Sequence, residues 1–279
     1  MRIGAFSDAV GGDSPEARAD RARVAGVETI QLRTEWPGLD LAGSGVDRAR
    51  VRRAYEHAGV AVSALAAYSN ILDPRPERRR QIHERLETLI RVAPELGTKL
   101  VVTETGTFDP EDSWADHPHN RTPEAWAELV ELTGRLAQLC ERAGVLLVYE
   151  PYVATVLHSA ETARRLADEI ASPALGFVFD AAGLMTPETL PSNREITAEA
   201  CALLGSRIAL AHADDVRYED GEARWLPLGW GDLDAGAVFS GLAGAGFDGA
   251  LIVEHVAEDL LRDAVAFCRE RAAHREGGD

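Results

Sequence analysis

The chain has 279 residues, 46 % apolar and 27 % charged, with a formal net charge of −17. That is enough apolar material for a large α/β core. No apolar run approaches the ~20 residues of a membrane span, and Lys99 is the only lysine, which argues against both a membrane protein and a nucleic-acid surface.

Strand-like and helix-like segments alternate throughout. Arg2–Phe6 reads as a strand and opens the chain directly, with no leader pattern; a helix follows over about 14–25. The pair repeats at 27–32 and 46–58, then at 60–67 with a long charged helix over 76–96. Acids alternate with bases along 75–91 at helical spacing, the mark of a solvated face rather than a basic patch. Next come 99–104 with Pro123–Ala143, 145–150 with Ala160–Ile170, and 175–180 with Asn193–Leu204. Strands 207–212 and 249–254, with helices over 234–243 and 258–273, complete eight β/α units. Cys140, Cys201 and Cys268 fall inside helical patterns with no metal spacing, so buried free thiols in a reducing cytoplasm are expected.

Helix-to-strand connections are short and marked by glycine, as at Gly26, Gly59 and Gly144, where a left-handed cap would turn the chain into the next strand. Strand-to-helix connections are long at 105–122, 181–192 and 213–233. Short loops at one end and long ones at the other predict a single (β/α)8 TIM barrel over 1–279; an open, doubly wound sheet is the runner-up.

Four of these strands end on metal-ligand residue types. V-L-L-V-Y-E stops at Glu150, L-G-F-V-F-D at Asp180, R-I-A-L-A-H at His212 and G-A-L-I-V-E at Glu254. In a parallel barrel all strand ends share one rim, so the four would converge. Carboxylates gathered there would repel one another and lose hydration, and a divalent cation (Mn, Mg, Co or Zn) removes both penalties. Glu104, ending K-L-V-V-T-E, sits on the same rim and could hold a substrate hydroxyl. His158 could reach the site from the next loop as a substrate ligand. Asp112, Asp116, His117 and His119 suit a lid better than a second metal cluster.

Those motifs resemble the xylose-isomerase-like TIM-barrel superfamily, in its sugar phosphate isomerase and epimerase branch, over nearly the whole chain. The resemblance implies one metal held by Glu150, Asp180, His212 and Glu254, with the two glutamates doubling as the acid/base pair. L-P-L-G-W-G-D-L at 226–233 is similar to the branch's glycine turn. The chain departs from the branch at Gly183, where members carry His or Asn, at Asp214, where many carry Lys, and at Trp230, where a Glu is common. Asp214 and Trp230 are thus expected to face substrate.

The implied activity is proton abstraction from an unphosphorylated ketose or polyol through a metal-held enediolate. Arg33 and Arg217 are the only candidates for a phosphate clamp. A dehydratase, or a lyase acting on a C-glycoside of a 3-keto-sugar, is the alternative, and a non-catalytic sugar- or partner-binding barrel is the second. A small carbohydrate is the expected partner, with no nucleic acid or membrane; a homo-oligomer is compatible with this reading.

Overall fold

The computed structural model describes residues 1–274. Short apolar runs bounded by turns form eight strands: β1 (Arg2–Phe6), β2 (Thr29–Arg33), β3 (Ala61–Ala66), β4 (Leu100–Glu104), β5 (Leu146–Glu150), β6 (Leu175–Phe179), β7 (Ile208–Glu219) and β8 (Ala250–Val253). Each pairs in parallel with both neighbours, and the ring closes through the β1–β8 and β6–β7 ladders. The fold is therefore the expected closed barrel, not an open sheet.

Helices α1 (Pro15–Val24), α2 (Arg48–Ala58), α3 (Pro76–Val92), α4 (Pro123–Ala143), α5 (Ala160–Ile170), α6 (Asn193–Leu204), α7 (Ala235–Gly244) and α8 (Leu261–His274) follow the strands in turn. Side chains just ahead of several helices satisfy otherwise free amides. Ser14 Oγ accepts from Ala17 N at 3.2 Å, Thr122 Oγ1 from Ala125 N at 3.2 Å, and Ser159 and Thr162 form a capping box. Gly59 and Gly144 end α2 and α4 at φ 72° and 65°, the backbone that a Cβ would penalise. Among the described residues no helix is long and apolar enough to cross a membrane.

Strand residues pointing outward pack with the helices into the main core, whereas Ala64, Val102, Val148, Val178, Leu210 and Ile252 form a separate cluster inside the barrel. Side chains two apart on a strand share a face. The residues two positions beyond Val102, Val148, Val178, Leu210 and Ile252 are Glu104, Glu150, Asp180, His212 and Glu254. The rim polar layer thus stands directly on the apolar plug.

The long loop expected over 213–233 departs most from the sequence reading. β7 does not stop at His212; it runs on to Glu219 and folds back on Glu222–Pro227 as an antiparallel ribbon. Asp220 and Gly221 turn it with φ of 52° and 86°. Two adjacent left-handed residues suit the right-handed twist of a two-residue hairpin, and Asp-Gly is the sequence signal for one. The helix expected to reach 96 instead ends at Val92, because Pro94 has no N–H to continue it, and a 3-10 turn over Ala93–Leu96 follows.

Candidate metal centre

Glu150, Asp180 and His212 each place one ligand atom within 4.8 Å of the others, the only such metal-spaced group among the described residues. His212 Nδ1 is the hub. It lies 3.6 Å from Glu150 Oε2, 3.7 Å from Asp180 Oδ2 and 3.2 Å from Glu254 Oε2. Glu254 thus joins through its contact with His212 and stands just outside the tight triad. The His212 side chain is fully buried and that of Glu254 is 19 % exposed. His212 Nδ1 and Glu254 Oε2 have no hydrogen-bond partner among the described residues.

The electrostatics reflect a shortage of positive charge. Burial and the neighbouring Glu150 and Glu254 push the Glu104 carboxyl well above its ordinary value. Burial likewise raises Glu150, against the opposing pull of His212. Asp180 goes the other way: burial opposes it, but contact with His212 and a 3.0 Å hydrogen bond from Gly183 N hold it below the usual range. Burial disfavours charge on His212, yet Glu150 and Glu254 outweigh it and the ring is held well above its ordinary value.

Two residues overlooked in the sequence fix the centre's orientation. Gln31, fully buried on β2, accepts from His212 Nε2 at 2.8 Å and donates through its own Nε2 to the Tyr68 hydroxyl at 3.1 Å. Tyr68 in turn donates to Glu150 Oε2. The available signal was a glutamine flanked by Ile30 and Leu32 in a buried strand, two positions from Thr29 and so on its face.

The remaining candidates separate clearly. Glu104 lies opposite Glu150 in the β4–β5 ladder and lines the rim cavity, with Oε2 unpartnered. Asp214 is buried with neither oxygen hydrogen-bonded among the described residues, and burial and Asp180 push its carboxyl well up. It is not among the cavity-lining residues. Its neighbour Asp215 is structural: it accepts from Gly229 N and Leu233 N, each at 2.9 Å, and shapes the glycine turn. Trp230 is 40 % exposed and lies outside the cavity lining. His158 turns its Nδ1 to Val156 O at 3.1 Å and also lies outside it. Arg33 lines the cavity but is paired with Asp8, whereas Arg217 is held by Asp232 and the Trp230 carbonyl.

The cavity above the centre has a volume of about 720 Å³. Trp114, from the loop expected to act as a lid, Tyr152, Trp225 and His255 form part of its wall. Trp225, brought in by the hairpin, and His255 are the other two residues overlooked in the sequence.

Residues 19–271 match the family described as xylose isomerase-like TIM barrel. No curated protein matches the chain. Among solved structures, L-ribulose 3-epimerase superposes with a TM-score of 0.75 at 18 % identity, over 99 % of this chain and 97 % of its own. The apo form of 3-keto-D-glucoside 4-epimerase, YcjR, from E. coli superposes at 0.74 and 19 % identity, over 97 % and 99 %. The IOLI protein with a bound zinc atom superposes at 0.73 and 18 % identity, over 98 % and 97 %. Likeness at such identities is likeness of fold, whereas the family match rests on the sequence itself and spans most of it. The chain belongs to the xylose isomerase-like TIM barrel family.

Proposed function

We propose that the chain is a divalent-metal-dependent sugar isomerase or epimerase in which Glu150, Asp180, His212 and Glu254 hold the ion and Glu150 and Glu254 move the proton. The observation that carries this reading is the convergence of three carboxylates on one buried imidazole nitrogen that has no hydrogen-bond partner among the described residues. The donor set fits Mn, Mg, Co or Zn: hard oxygens with one nitrogen, in a buried cluster where carboxylates outnumber the single imidazole. Bound there, such an ion would act as a Lewis acid on neighbouring carbonyl and hydroxyl oxygens and make the C–H beside them more acidic.

The chain's own residues supply the rest. Tyr68 holds Glu150 Oε2, orienting that carboxylate, and Glu254 reaches both the His212 ring and the open cavity. One glutamate, ionised, takes the proton, and the other, protonated at the outset, delivers its own proton to the opposite face; for isomerisation a proton is delivered to the adjoining carbon instead. Glu104, beside Glu150 with an unpartnered oxygen, is suited to a substrate hydroxyl. The names of two structural neighbours, L-ribulose 3-epimerase and 3-keto-D-glucoside 4-epimerase, support a sugar substrate.

A second reading, elimination of a leaving group after the same proton abstraction, is favoured by the cavity's size and aromatic wall and by Gly183, which adds no side chain beside Asp180. The test is solvent deuterium uptake by free ketoses and by 3-keto-glucosides with Mn²⁺-loaded protein. Uptake that is lost in Glu150→Gln and Glu254→Gln supports the proposal, and release of aglycone selects elimination. A protein that takes up no metal and exchanges no C–H would be a binding barrel instead.

A further inference from the structure

His255 follows Glu254 directly, and consecutive residues of an extended strand point to opposite faces. Both nevertheless line the cavity. The reconciliation lies in the backbone: His255 has φ 51°, one of three non-glycine residues with positive φ among the described residues. A left-handed residue there folds the chain back as it leaves β8, so that the imidazole lies beside the preceding carboxylate. Such a conformation is unfavourable for a residue with a Cβ and persists only where its surroundings hold it, most often at functional sites.

The surroundings that hold it are plain. The Trp225 ring stacks on the His255 ring with centroids 5.3 Å apart and planes 26° from parallel. Tyr152 backs Trp225 at 6.2 Å. On its other side His255 Nε2 lies 3.1 Å from Glu254 Oε1 and 3.8 Å from the buried Asp214 Oδ2. Glu254 therefore has an imidazole beside each oxygen: Oε1 lies against His255, and Oε2, without a hydrogen bond among the described residues, points at His212 Nδ1 at 3.2 Å.

We propose that His255 is a positioning residue for Glu254. Clamped by Trp225 on the hairpin, it holds Oε1 and so aims Oε2 at the metal centre, at the expense of a strained backbone. The inference rests on the reading of Glu254 as a ligand and proton carrier. It also explains the hairpin, since the ribbon beyond β7 carries the aromatic lid that keeps the clamp closed.

Four variants, His255→Ala, His255→Gly, His255→Asn and Trp225→Ala, test it through Mn²⁺ titration calorimetry and thermal unfolding of the metal-free proteins. Losing the contact should weaken Mn²⁺ binding by about 10–100-fold in His255→Ala and His255→Gly, the usual effect of removing a group that orients a ligand. His255→Asn tolerates the left-handed backbone and keeps a side-chain donor, so it should recover part of that affinity. Trp225→Ala should weaken binding in the same direction with His255 intact. His255→Gly should melt at a higher temperature than His255→Ala, because only glycine is released from the strain. Histidine variants that bind Mn²⁺ as tightly as the parent, or glycine and alanine variants that melt together, overturn the proposal. A parent protein that takes up no Mn²⁺ fails the metal reading itself, an outcome visible before any variant is compared.

Discussion

Nε2 of His212 lies 2.8 Å from Oε1 of Gln31, a residue 181 positions earlier in the chain. The direction of this hydrogen bond is set at its far end. An ionised Glu150 can only accept from the Tyr68 hydroxyl, so Tyr68 accepts from Gln31 Nε2, and Gln31 Oε1 takes the proton of His212 Nε2. With Nε2 committed to Gln31, Nδ1 is the atom that offers its lone pair once a cation displaces the proton that the surrounding carboxylates favour there.

Replacing Gln31 with Leu should remove that control. Mn²⁺ affinity is expected to fall about 10–100-fold, as for other groups that orient a ligand. The stranded Tyr68 and His212 polar atoms should cost about 1–3 kcal/mol of stability. Calorimetry and chemical unfolding measure the two effects separately, and an unchanged affinity would refute the orienting role.

Metal binding should itself stabilise the fold. With Mn²⁺ at about 100 times its Kd, unfolding should become harder by about 2.7 kcal/mol, and EDTA should reverse the gain. Asp180→Asn should show a much smaller shift. Identical melting curves with Mn²⁺ and with EDTA would count against the centre.

The adjacent acids Asp214 and Asp215 should behave oppositely. Asp215→Ala removes charge-assisted bonds to Gly229 N and Leu233 N and should destabilise by about 3 kcal/mol or more. Asp214→Ala deletes a buried carboxylate without hydrogen-bond partners among the described residues, so the metal-free variant should be as stable as the parent or more so. Because folding raises the Asp214 value, its unfavourable contribution is absent at pH below the unfolded value and grows as pH rises through the folded one. The advantage of Asp214→Ala should therefore increase with pH; an advantage that shrinks would contradict this account.

The thiols should be inert in the native protein. Burial pushes Cys140, Cys201 and Cys268 each up to about 12. Ellman's reagent at pH 8 should find essentially no reactive thiol until guanidinium is added, and then three. Fast labelling of the folded chain would mean that one of these helices opens.

The barrel was legible because its signals are local and repeated: apolar strand, glycine cap, amphipathic helix. Convergence of Glu150, Asp180, His212 and Glu254 then followed from the rule that parallel strands share a rim. Gln31 and Tyr68 were not legible, since their meaning lies in partners far along the chain. Trp225 was hidden for another reason. Asp220-Gly221 marks the hairpin that carries it inward, yet 213–233 reads as loop by length alone, and the more exposed Trp230 drew attention instead. His255 could not be foreseen either, because strand alternation points it outward unless its backbone is left-handed.

The spacing of Leu210 and His212 along β7 has one further consequence. The imidazole hangs two residues above a side chain of the apolar plug, and the same holds for Val148 beneath Glu150 and Val178 beneath Asp180. Trimming a methyl group from that plug would lower a pillar as well as open a void, and the donor atom above would settle with it. Chemistry at the mouth can then be retuned from below, by residues that never meet a substrate.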